Sequence, residues 1–161
     1  MIDPENGVRL AVKADTEALF SLCKQLHEEN GLFSFSGDKV RDLMDKALAG
    51  NAALMGVIGE PGKPEACIYL TIECPYYSDD MHMMELWNFV APPRQKRAGH
   101  AKRLLEWAKY CSDEMQLPLV TGILSNQRVE AKVRLYERQL ERAGAFFIYN
   151  RKLAGGSGWP A

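Results

Sequence analysis

The 161-residue sequence contains no apolar run approaching the roughly 18 residues that cross a bilayer. It also lacks any CxxC pair. Its four cysteines, Cys23, Cys67, Cys74 and Cys111, stand far apart, and its three histidines, His27, His82 and His100, add no metal-ligand spacing. No metal is therefore expected, and Cys23 and Cys111 read as reduced thiols acting as small hydrophobes on helix faces. An excess of charge of one sign is missing too. With 20 basic against 21 acidic side chains, no strong field draws the chain to nucleic acid or to an anionic membrane. Met1–Gly7 has neither a basic n-region nor an apolar h-region, so the expected location is cytoplasmic. What is present is ordinary for a globular domain, with 47% hydrophobic and 25% charged residues. The length suits one domain. Residues 1–153 are expected to form it, with 154–161, rich in glycine, as a flexible tail.

Periodicity orders the elements. Val8–Val12 alternates as a half-buried strand does. Asp15 offers an N-cap to a helix with Ala18, Leu19, Leu22, Cys23 and Leu26 on one stripe, stopped at Asn30-Gly31. A second helix carries Val40, Leu43, Met44, Ala47 and Leu48 inward. Ala52–Gly59 and Ala66–Cys74 read as a hairpin around Glu60-Pro61-Gly62-Lys63-Pro64, and Met83–Val90 as a further strand. A long helix from Gly99 to about Met115, a strand Leu119–Leu124, a helix Val129–Ala143 and a last strand Ala145–Asn150 follow. The order is β-α-α-β-β-β-α-β-α-β. An early hairpin and late β-α-β units imply an α/β, or mixed α+β, fold: a mostly antiparallel sheet flanked by helices on both faces.

The most informative segment is Phe89-Val90-Ala91-Pro92-Pro93-Arg94-Gln95-Lys96-Arg97-Ala98-Gly99-His100-Ala101. A strand ends, a basic loop follows, and a helix opens at a glycine. The first N–H groups of a helix lack internal partners and carry partial positive charge, so an anion such as a pyrophosphate is well placed there. No GK[ST] follows, which excludes a Walker A loop, and the GxGxxG of a dinucleotide fold is absent. Taken alone, a basic loop before a helix is more often solvated surface than a site.

Together with the element order, Lys96-Arg97-Ala98-Gly99-His100-Ala101 resembles motif A of the GNAT acetyltransferases, [QR]-x-x-G-x-[GA], with lysine at the first position in place of glutamine or arginine. The resemblance spans the chain from the Val8 strand to the Ala145 strand. It implies acetyl-CoA as co-substrate, with Lys96, Arg97, Ala98, Gly99, His100 and Ala101 around its pyrophosphate. Phe89, Val90 and Ala91 would pair their backbone with its pantetheine arm, where a bulge would free polar groups. The family's later signature is matched by Leu135-Tyr136-Glu137-Arg138 and then Gly144-Ala145-Phe146, on a helix about one turn longer than usual. Tyr136 is implied as the general acid for the departing thiolate, since a phenol near pKa ~10 can protonate or hydrogen-bond a thiolate near ~8.5. Its structural alternative is a tyrosine packed in the core with its hydroxyl satisfied.

An alkylammonium near pKa ~10.4 cannot attack until it loses a proton, so a carboxylate is needed. Glu85, eleven positions before Lys96, matches the place where several family members keep a catalytic glutamate. The alternative is a carboxylate on a solvated face or paired with an arginine. Glu73, Asp79 and Asp80 are weaker candidates, and His82 and His100 read as surface residues. Asn30–Gly37, with Leu32, Phe33 and Phe35, would form part of an apolar acceptor pocket. The expected acceptor is a small-molecule or protein amine, and a homodimer is among the assemblies that the resemblance allows.

Two rivals stand beside this reading. One keeps the fold as a catalytically degenerate CoA-binding or protein-interaction module. The other is a nucleic-acid domain using Arg94, Lys96, Arg97, Lys102 and Arg103 with Arg128, Lys132 and Arg134. Overall neutrality and the lack of interleaved aromatics count against it.

Overall fold

Alternation along the two central strands sorts their side chains between two cores. In the computed structural model, which describes residues 5–93, 97–125 and 128–149, β1 (Arg9–Leu10), β2 (Ala53–Glu60), β3 (Lys63–Glu73), β4 (His82–Val90) and β5 (Leu119–Val120) form one sheet in the order β1-β2-β3-β4-β5. The first three pairings are antiparallel and β4–β5 is parallel. The fold is thus the expected mixed sheet with helices on both faces. Met55, Val57, Cys67 and Tyr69 meet α1 (Thr16–Asn30) and α2 (Gly37–Leu48) through Leu19, Leu22, Cys23 and Met44. Ile58, Ala66, Ile68 and Leu70 meet α3 (His100–Met115) through Leu104, Trp107, Ala108 and Cys111. With both faces covered, β2 and β3 read as near-continuous apolar runs. Trp107 lies so close to β2 that a Cβ on Gly56 would come within 2.5 Å of its ring.

β4 behaves differently from its neighbours. Tyr69 pairs with Trp87 and Leu70 with Glu85, so Leu86 is an extra residue with no partner on β3. This bulge reverses the alternation. Before it, Met83 belongs to the core under α3; after it, Phe89 and Ala91 belong to the core under α1 and α2. The bulge lies a few residues earlier than the Phe89–Ala91 stretch where the sequence suggests one.

Three expectations are corrected. Asp15 does not cap α1 with its side chain. A short 3-10 turn, Lys13–Asp15, precedes the helix, and the Asp15 carboxylate instead accepts from Arg9 Nη1 (2.7 Å) and Nη2 (2.9 Å), Val12 N (2.9 Å) and Gly62 N (2.8 Å). α4 spans Val129–Glu137 and stops a turn and a half before Ala143. None of its residues is fully buried, and Glu137-Arg138-Gln139-Leu140-Glu141-Arg142 offers little apolar surface to extend a helix whose stability depends on packing. Residues 145–149 take no strand conformation; Phe146 lies against Gly122 instead. Asn150, Arg94, Lys96, Asn126 and the expected tail 154–161 lie outside the described residues.

Candidate active site

β5 pairs with β4 only through Met83–Leu119 and Met84–Val120. Beyond Met84, no strand among the described residues covers that edge of β4, and the two segments diverge. Between them opens a cavity of about 600 Å³, lined on one side by Glu85–Val90 and on the other by Gly122–Ser125. α4 contributes Lys132, Leu135 and Tyr136, and the α1 end and following loop contribute Asn30 and Phe35. The cavity is apolar apart from a few convergent polar groups, as small-molecule sites are.

The deepest of those groups is Glu85, 7% exposed. The Tyr136 hydroxyl donates to its carboxylate, 2.7 Å from Oε1 and 2.8 Å from Oε2. Burial pushes the Glu85 carboxyl up from 4.5 to about 7, and the Tyr136 hydrogen bond offsets part of that rise. The phenol is pushed up as well, by burial first and then by the adjacent Glu85 charge, so it stays protonated across the neutral range. The two residues that the sequence singles out for acid and base work, 51 positions apart, are therefore hydrogen-bonded to each other.

Around this pair lie polar groups without partners. Trp87 Nε1 and Asn88 Oδ1 are buried and unsatisfied, although the Asn88 amide donates through Nδ2 to Ala101 O (3.0 Å) and so ties β4 to the first turn of α3. Buried orphans of this kind call for an explanation, and a ligand along the edge of β4 would supply one. The N-terminus of α3 fits an anion. Gly99 adopts φ 84°, a left-handed conformation that glycine adopts without strain, and a Cβ there would touch nothing within 4 Å. No acidic residue stands in the first turn of the helix.

The side chains of the basic loop are placed less simply. Arg97 donates to the carbonyls of Ala91 (2.8 Å) and Pro92 and pairs through Nε with Glu65 (3.3 Å). His100 Nε2 lies 3.0 Å from the same Glu65 oxygen. His100 first and Arg97 second hold the Glu65 carboxyl below its usual range. Arg97 is therefore tied down and is not a mobile charge over the loop, and the side chains of His100 and His82, which read as surface residues in the sequence, are largely buried. Phe89, Val90 and Ala101 line the cavity, whereas Ala91, Arg97, Ala98, Gly99 and His100 do not border it. Lys96 lies outside the described residues. Glu73, Asp79, Asp80 and His82 are also outside the cavity lining, and His82 sits 3.8 Å from Glu73. Of the apolar residues of the loop, Phe35 lines the cavity, Leu32 is buried and Phe33 is 60% exposed.

Sequence reasoning misses Glu65, Asn88 and the cluster Asn30–Ser125–Lys132. Asn30 reads there as a helix stop and Lys132 as one of several surface cations. Their proximity to the cavity depends on contacts across about a hundred positions.

Neither a family model nor a curated protein matches the chain. Solved structures do match it. Aminoglycoside 6'-N-acetyltransferase AAC(6')-Iy, in complex with the bisubstrate analogue CoA-S-monomethyl-acetylneamine, is 16% identical with a TM-score of 0.65, covering 89% of this chain and 95% of that one. A ribosomal-protein-alanine N-acetyltransferase from Brucella melitensis biovar Abortus 2308 is 15% identical with a TM-score of 0.66, over 88% and 96%. AAC(6')-IG from Acinetobacter haemolyticus is 15% identical with a TM-score of 0.65, over 89% and 96%. At these identities the likeness establishes a shared fold, that of GNAT-type acetyltransferases.

Proposed function

We propose that, on this fold, the chain works as an N-acetyltransferase, moving an acetyl group from acetyl-CoA to a primary amine by direct attack. The observation that carries the reading is the Tyr136–Glu85 hydrogen bond at the uncovered edge of β4. The thioester supplies an activated carbonyl carbon and a sulfur leaving group. Backbone groups of Phe89, Val90 and Ala91 would hold the pantetheine arm. The first-turn amides from Ala98 to Ala101, with Lys96, Arg97 and His100 nearby in sequence, would hold the pyrophosphate.

Glu85, about half ionised near neutral pH, takes a proton from the acceptor nitrogen, directly or through water. The protonated carboxyl then donates to the phenol oxygen of Tyr136, and the phenol hydrogen is freed for the departing sulfur. The N–C bond forms, the C–S bond breaks, and the proton lost by nitrogen ends on sulfur by way of the two side chains. The other proton of the original ammonium goes to solvent.

Release of free CoA thiol with a panel of amines tests the reading. Tyr136→Phe should lower kcat by roughly 100-fold with the acetyl-CoA affinity nearly intact. Undiminished turnover in that variant would remove Tyr136 from the mechanism. The second reading is a catalytically degenerate CoA-binding module, favoured by the capture of Arg97 and His100 by Glu65. It expects acetyl-CoA binding without thiol release from any amine. No binding at all would leave a protein-interaction module of this fold.

A further inference from the structure

Two aromatic side chains in the cavity lining are each held from behind. Phe35, in the loop between α1 and α2, has its ring 5.9 Å from that of Phe20 and 5.3 Å from that of His27, both on α1. Trp87, next after the bulge at Leu86, packs against Tyr69 with ring centres 4.7 Å apart. The Tyr69 hydroxyl in turn donates to Leu43 O in α2 (2.8 Å). Cys23, Leu26, Val40 and Phe89 line the cavity beside them. Cys23 and Phe89 belong to the core between the sheet and the pair α1 and α2, and Leu26, Val40 and Trp87 pack against it. α3 covers the other face of the sheet, and Ala101 is its one residue in the lining. A pyrophosphate at the start of α3 therefore brings the co-substrate in from that other face. The wall against α1 and α2 is left to the acceptor.

Charge in the lining is balanced. Among the described residues it carries two carboxylates, Glu85 and Glu29, and two cations, Arg128 and Lys132, beside the imidazole of His27. A polycationic acceptor needs a surplus of negative charge, and this lining has none. The two buttressed rings instead offer flat apolar surface that is already in place, so little order is lost when a flat partner settles on it.

We infer that the acceptor is a monoamine with an aromatic body, and that Phe35 and Trp87 form the wall that selects it. This rests on the acetyltransferase reading above. The nitrogen lies at Glu85, before the bulge, and the ring lies beyond it against Trp87 and Phe35.

The test uses the full chain with phenethylamine, ethylamine, spermidine and neamine. Calorimetry with acetyl-CoA precedes thiol-release kinetics with each amine. Phenethylamine should exceed ethylamine at least about 10-fold in kcat/KM, as burial of one aromatic ring provides. It should exceed spermidine and neamine as well. Phe35→Ala should lower kcat/KM for phenethylamine about 10-fold through KM, while ethylamine and the acetyl-CoA affinity shift by less than about 2-fold. Phe35→Leu, which keeps apolar bulk, should recover part of the loss. A merely structural role for Phe35 would lower both amines together, and that result overturns the inference. The wild-type ranking needs no variant: ethylamine, spermidine or neamine equal to phenethylamine overturns the inference and leaves the acetyltransferase reading standing. Acetyl-CoA binding without turnover of any of the four amines overturns it too. Failure of acetyl-CoA to bind the wild-type chain sinks the acetyltransferase reading and takes this inference with it, and is seen in the separate titration.

Discussion

Glu85 is costly where it stands. A carboxyl raised from 4.5 to about 7 penalises the ionised fold by roughly 3 kcal/mol. The sign follows from proton binding. Between those two values the folded chain holds the proton more tightly than the unfolded one, so stability falls as pH rises through the window. Glu85→Gln keeps an acceptor for Tyr136 and removes the charge. It should therefore melt several degrees above wild type at pH 8 and close to wild type at pH 5. A variant less stable than wild type at pH 8 would mean that the Tyr136 bond outweighs the desolvation. The same ionisation should make turnover rise with pH through about 7, and Glu85→Gln should abolish that limb; an unchanged pH–rate profile would remove Glu85 as the base. Individual residue types at this site are legible in the sequence: a mid-strand glutamate and a tyrosine after leucine on a late helix. Their mutual hydrogen bond is not, because nothing in a local window encodes a contact 51 positions long. The pairing of Arg97 and His100 with Glu65 on β3 is hidden for the same reason.

At the scale of elements, the two long helices and the central strands are legible because both their periods and their breakers are strong. Pro61-Gly62 closes the β2–β3 hairpin where turn chemistry places it. The bulge at Leu86 leaves no such trace, since leucine is not a turn or bulge marker. The short end of α4 also escapes local reading: continued helical periodicity suggests more helix, while the missing tertiary partner ends it. Gly99 shows what a helix start requires. Gly99→Ala would force a β-carbon into a left-handed conformation at a cost of roughly 1 kcal/mol, although its open surroundings impose no clash. Gly99→Glu adds negative charge at the positive end of α3, and should abolish acetyl-CoA binding in calorimetry with little further loss of thermal stability. If affinity persists in the glutamate variant, the pyrophosphate does not lie at this helix end.

For the whole molecule, Asp15 joins parts of the chain distant in sequence: Arg9 in β1, Val12 before the 3-10 turn, and Gly62 at the β2–β3 turn. Burial raises its carboxyl, but Arg9 and the two backbone N–H groups outweigh burial and hold it below the usual range. Asp15→Asn leaves the Arg9 guanidinium without its anion, and should cost about 3 kcal/mol at pH 7, measured by urea unfolding. Since a depressed carboxyl stabilises only while ionised, the difference should shrink as pH falls through the folded value; a constant difference would locate the loss in packing. Ligand linkage offers a second global measurement. Acetyl-CoA at 100 times its Kd should add about 2.7 kcal/mol, a rise of several degrees in Tm, and an unmoved Tm at that concentration would contradict a folded-state site.

The unpaired Leu86 has a further consequence. One additional residue makes β4 change sides midway, so its first half and its second half answer to different helices. Removing Leu86 would leave the chain nearly the same in length and composition, yet it would exchange inside for outside along one half of the strand. The strand is thus intolerant of a single deletion, while the β3–β4 loop with its exposed Tyr76 and Tyr77 can lengthen or shorten freely. Variation in this protein's length is to be sought in that loop and not beside Glu85.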